Sequence, residues 1–170
     1  PHGYWLSSGV YPPDIQNQGR KRGLLSAWWW YNMINRVNLK DKLTFFLHTT
    51  FTIANGDVGA SHYYYDHIRL LEYYSQGSLR EIAKKITLDN AMLNYLDNTQ
   101  NNANNPNENY AREFLELFTI TKGEQVGEGD YTNYTEQDVI ETAKVFSGFK
   151  TKLDRSIIDP DTNIPMGRVS

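Results

Sequence analysis

Asn105-Pro106-Asn107-Glu108 is the sharpest punctuation in this 170-residue chain. With Asn105 as N-cap, Pro106 at the first helical position and Glu108 at the third, the segment reads as a capping box, with proline where its missing N–H costs nothing. The helix it predicts runs from Pro106 to Thr121, with Tyr110, Phe114, Leu117 and Phe118 inward at roughly 100° per residue. Comparable starts recur at Asn38 with Asp41, Ser78 with Glu81, Asp89, and Thr135 with Asp138. They predict helices over Arg20–Asn35 (Leu24, Leu25, Trp28 and Tyr31 near one face), from Asn38 toward Ala54, over Ser61–Ser75, over 78–86 and 89–96, and from Thr135 to Gly148. In the second of these, Leu39, Leu43, Phe46, Leu47, Thr50 and Ala54 fall on one stripe. The last helix is expected to bury Val139, Ile140, Ala143 and Phe146. Residues 98–105 are Asn-rich and read as a loop, because Asn side chains compete for backbone groups. Residues 122–134 read as a loop or small hairpin. Alternation of period two appears nowhere at length. The expected fold is all-α, an irregular bundle of about six to seven helices with long loops. It forms one domain, with irregular segments 1–19 and 150–170 around a helical core 20–149.

Aromatic residues reach 14 % although hydrophobic residues make up only 39 %, so Tyr, Phe and Trp carry much of the burial. The net charge is −3, without a basic stripe, which argues against nucleic acid as partner. Cysteine is absent, which removes disulfides, thiolate catalysis and Cys-based zinc sites. No apolar run approaches the ~20 residues that span a bilayer. The chain begins at Pro1 and stops at Ser170 after a loop-like stretch, as a piece of a longer protein would.

Several groups are candidates for chemistry. Glu108, Arg112 and Glu116 stack four apart on the polar side of the 106–121 helix. The plain reading is two surface ion pairs; the functional one is a groove in which Arg112 holds a carboxylate or phosphate. Glu113 projects to the edge of the buried stripe, where a carboxylate must find a donor or shift its pKa upward. It is either a satisfied structural group or a general base or metal ligand. Asn107 and Asn109, in the first turn, are caps or ligand-binding amides. His48 is a packed, partnered ring or a catalytic one. His62 and His67 are five apart, not at the spacing of a two-His helical metal site, so no metal and no cofactor is expected. Trp28-Trp29-Trp30-Tyr31 cannot all face one core. At least one ring must reach an interface, and Trp29 is a candidate ligand platform.

NPNENYAREFLELFT, preceded by AMLNYLDN and followed by YTEQDVIETAKVFSGF, resembles the bacterial family called domain of unknown function 1800. The likeness extends to WWWYNMIN, KLTFFLHTTFT and LEYYSQGSLREIAKKIT. The family's second helix resembles W-H-N-H-F. Here Leu47-His48-Thr49-Thr50-Phe51 keeps the first histidine and has Thr50 for the second, and Tyr74 stands at a position that is often His. The resemblance implies an exported bacterial protein, periplasmic, outer-membrane-associated or extracellular, with no known activity. Two functions are therefore compatible with the residues. One is a binding or assembly role at the cell envelope, toward protein or carbohydrate. The other is a hydrolase using Glu113, His48 and Arg112, which requires the three to converge on one pocket.

Overall fold

The computed structural model describes residues 17–170. Most of the segment 1–19 expected to be irregular, residues 1–16, lies outside the described residues. Among these residues the chain makes seven helices and four strands of two or three residues, so it is mostly helical rather than purely so. The helices are α1 Gln18–Asn35, α2 Leu39–Thr50, α3 Ser61–Tyr74, α4 Leu79–Ile86, α5 Asn90–Tyr95, α6 Glu108–Glu113 and α7 Glu136–Phe146. The strands are β1 Gln125–Gly127 with β2 Asp130–Tyr131, and β3 Phe149–Lys150 with β4 Arg168–Val169.

Local chemistry starts most helices where expected. Asn38, Ser78, Asp89 and Thr135 each accept a backbone N–H from three residues on, and Thr135 with Asp138 closes a full capping box. Two starts differ. Asn17 caps α1, so the helix begins two residues earlier than expected and takes Gly19 into its first turn. The cap of α6 is Asn107, not Asn105. Asn105 is spent in a tight turn with Asn102, and the proline after it biases it away from helical angles. Buried Asn101 then takes the Asn107 N–H at 3.0 Å and sets where the helix begins.

α3 lies at the centre, with nine of its residues buried, and α1, α2, α4 and α5 pack around it. α6 and α7 form a second layer. Tyr110 is fully buried between them, 5.1 Å edge-on from Phe146, and its hydroxyl donates to the Ile86 carbonyl. The Asn-rich loop is a buried network. Asn98 donates to the carbonyls of Phe146 and Phe149, and Asn101 to that of Ala143, which satisfies the C-terminal end of α7. Residues 150–170 form a strap across α3, α4 and α5. Arg155 grips buried Asp66, Lys85 reaches Asp159, and the Gly167 N–H bonds Leu88. A side chain at Gly167 would sit 2.6 Å from the Lys150 carbonyl, so the strap passes there only because nothing but hydrogen projects.

Three expected faces are rotated. α2 buries Asp41, Thr44 and Leu47, with His48 half-buried beside them, whereas Leu39 and Phe46 lie in solvent. The helix stops at Thr50, before Ala54. α1 buries Lys21, Leu25 and Asn32, and leaves Leu24 and Tyr31 outside. In the helix after Asn107, hydrogen bonding widens to a π-helical turn over Phe114–Thr119, which swings Leu117 to 55 % exposure.

Candidate functional site

Three places gather the residues singled out above. The first is an aromatic hub between α1, α2 and α3. His48 Nε2 lies 3.1 Å from the Tyr64 hydroxyl, and its ring meets Trp29, Tyr64 and His67 edge-on at 5.1 to 5.7 Å. Its other nitrogen, Nδ1, is buried without a partner among the described residues. Burial, and then the neighbouring His67, lowers the His48 pKa to about 3, so the ring is neutral across the physiological range. Beneath it, His67 is wholly buried, with Nδ1 2.9 Å from Asp89 Oδ2 and Nε2 3.0 Å from the Phe51 carbonyl. Its two nitrogens lie against a carboxylate and a carbonyl, so the ring is tied on both sides to α5 and to the end of α2. His48 thus joins helices and has no free nitrogen facing an opening.

A pH effect follows. An unfolded His48 takes up a proton below about 6.5 and the folded ring does not until about 3. Stability is therefore lost as pH falls through 6.5. In urea titrations between pH 7 and pH 5, His48→Gln is expected to lose less stability than the native chain, by up to about 1.4 kcal/mol per pH unit. Identical pH dependence in both proteins would contradict a neutral buried ring.

The second place is the start of α6. Arg112 forms a fork on Glu136 of α7, both contacts 2.7 Å, and also reaches Glu108 at 3.3 Å. Glu116 pairs elsewhere, accepting from the Tyr134 hydroxyl at 2.9 Å with Lys122 at 3.5 Å. The Asn107 and Asn109 amides donate to the carbonyls of Asp97 and Leu96. These groups are all engaged by their own chain, and Arg112 ties α6 to α7.

The third is a pocket of about 240 Å³ where the end of α2, α5 and the π-turn meet, lined by Thr49, Thr50, Thr52, Tyr95, Glu113 and Phe118 among others. Glu113 is half-buried here, and desolvation, with Glu116 adding repulsion, raises its carboxyl above the usual range. His48 and Arg112 do not line this pocket. Among the described residues no cluster of three or more His, Asp or Glu is placed to hold a metal.

Separate from these, the outer ends of α1 and α2 form an open groove of about 530 Å³. It is lined by the apolar Met33, Ile34, Val37, Leu39 and Phe45 and by the charged Arg36, Asp41 and Lys42. Ile34 is 72 % exposed and Val37 fully so. Trp29, half-buried, bridges the hub to this groove through Phe45, 6.2 Å away. The periodic reading missed the groove because it had placed Leu39 in the core. The surplus of apolar residues on every side of WWWYNMI is the signal that marks it.

No helix of the described residues is long and apolar enough to cross a membrane. No curated protein and no solved structure gives a significant match to the chain. A protein-family model described as "Protein of unknown function (DUF1800)" matches residues 13–164. That match spans most of the chain, including the hub, the Arg112 fork, the Glu113 pocket and the groove, and the chain belongs to this DUF1800 family.

Proposed function

We propose that this is a binding or assembly module of an exported bacterial protein, which receives an acidic amphipathic helix of a partner protein in the α1–α2 groove at the cell envelope. The observation that carries the reading is an exposed apolar lining between two helices, in which Arg36 and Lys42 outnumber the mostly buried Asp41 in a chain of net charge −3. Apolar floors of this kind take the apolar face of a helix, and Arg36 with Lys42 favours acidic flanks. What favours binding over hydrolysis is that His48, Arg112 and Glu113 serve separate places, two of them joining helices. Support for the envelope location and bacterial source comes from the family resemblance.

The test is fluorescence anisotropy with a labelled amphipathic peptide carrying Leu on one face and Glu on its flanks, titrated with the full chain. Saturable binding is expected, weakened at least about tenfold by Ile34→Asp and by Lys42→Glu, because central apolar anchors and rim charges dominate such grooves. Thermal stability should hardly change, since both positions are exposed. No saturable binding, or equal binding by a peptide with Lys in place of Glu, would refute it.

A further inference from the structure

The pocket around Glu113 lies apart from the α1–α2 groove and makes an independent case. Three observations meet there. First, Glu113 has no hydrogen-bond partner among the described residues, although neighbouring carboxylates Glu108, Glu116 and Glu136 are all paired. A partly desolvated carboxylate without a protein donor is left to bind water or a group that enters the pocket. Second, Glu113 is the last residue of α6 before the π-helical turn, and such widened turns concentrate at functional sites. Third, Thr50 and Tyr95, from α2 and α5, line the same pocket, and their hydroxyls likewise have no described partner. Thr49 and Thr52 are occupied, their hydroxyls donating to the carbonyls of Phe46 and His48.

The available chemistry is thus one acceptor carboxylate, two hydroxyls able to donate or accept, and apolar walls from Leu96, Leu117 and Phe118. An organic cation would be better served by several carboxylates, and this pocket has one. A phosphate or carboxylate ligand would be repelled by Glu113. A ring with many hydroxyls on its edge and C–H groups on its faces matches both parts of the lining. We infer that the Glu113 pocket is a binding site for a neutral sugar, with Glu113 accepting from two of its hydroxyls, Thr50 and Tyr95 completing the edge, and the apolar walls covering a face. Among the described residues Glu113 is the one carboxylate that lines this pocket, and Glu116 is engaged by Tyr134 and Lys122, so the lining fits sugar binding rather than the two-carboxylate hydrolysis of glycosides.

Saturation-transfer NMR and calorimetry on the full chain decide this, with methyl β-glucoside and N-acetylglucosamine as probes and tetramethylammonium as the competing chemistry. Saturable binding of at least one sugar is expected. Glu113→Ala should weaken it at least about tenfold, since hydrogen bonds to a charged group are the strong ones, and Tyr95→Phe should weaken it several-fold. Glu113→Gln, which keeps the shape, should fall between. The melting temperature of Glu113→Ala should equal or exceed that of the native chain. Binding of tetramethylammonium in place of sugar, sugar binding indifferent to Glu113 and Tyr95, no saturable sugar binding, or a marked fall in the melting temperature of Glu113→Ala would each overturn the assignment. The groove peptide of the preceding section should bind Glu113→Ala unchanged, which keeps the two proposals separable.

Discussion

Arg155→Ala is expected to lose about 3–5 kcal/mol of folding stability at pH 8, because it strands the Asp66 carboxylate in the protein interior. The two contacts of the pair are 2.7 and 2.9 Å, and Asp66 is almost wholly buried. Burial pushes the Asp66 carboxyl up to about 7 even against the guanidinium beside it. A carboxyl raised in the fold binds its proton more tightly there than in the unfolded chain. Its contribution therefore worsens as pH rises from about 4 through 7, and the loss in the variant should be smaller at pH 5 than at pH 8. Urea unfolding at the two pH values checks both magnitude and sign. The double change Asp66→Leu with Arg155→Met should recover most of the loss, since buried ion pairs are replaceable by apolar volume. Arg155 also holds a left-handed φ of 55°, a conformation that costs a non-glycine residue on the order of 1 kcal/mol. Arg155→Gly should accordingly lose less than Arg155→Ala. Equal stability of Arg155→Ala and the native chain at pH 8 would mean that the strap is not held by this pair.

Tyr110→Ala should cost about 3–5 kcal/mol, as for other large buried aromatic rings. Tyr110 is at 0 % exposure and contacts Phe146 and Phe114, so truncation opens a cavity between α6 and α7 that both helices are needed to close. Tyr110→Phe should cost about 1 kcal/mol, the net worth of its bond to the Ile86 carbonyl. Denaturant midpoints measured with unchanged m-values separate the two contributions. A small effect of Tyr110→Ala would place the ring outside the core.

What was legible in the sequence was whatever depends on neighbours in the chain. Caps such as Asn38, Ser78, Asp89 and Thr135 are hydrogen bonds across three residues, and their spacing is visible without a fold. Helix faces were less legible. In α2 the apolar period favoured Leu39 and Phe46, but the packing of α1 and α3 selected the side bearing Asp41, Thr44 and His48. Thr44 tolerates this because its hydroxyl is satisfied by the Lys40 carbonyl one turn back. The Asn-rich loop was legible as a loop, yet not as a buried one. Asn98 and Asn101 are inside because α7 ends there with carbonyls to satisfy. Glu113 was legible as an edge residue, whereas Thr50 and Tyr95, which complete its pocket, come from elements with no local link to it.

The strap has a consequence for the order of events during synthesis. Its anchors join residues 62 to 89 positions apart, Lys152 to Asn90 and Arg155 to Asp66 among them. A helical protein ordinarily draws on short-range contacts and folds quickly. Here a nascent chain that has already emerged through α7 still carries Asp66 without its guanidinium and Lys85 without Asp159. The clasp on the central helix comes from a residue translated 89 codons after the one it holds, so Asp66 can gain its guanidinium only once the strap has been made.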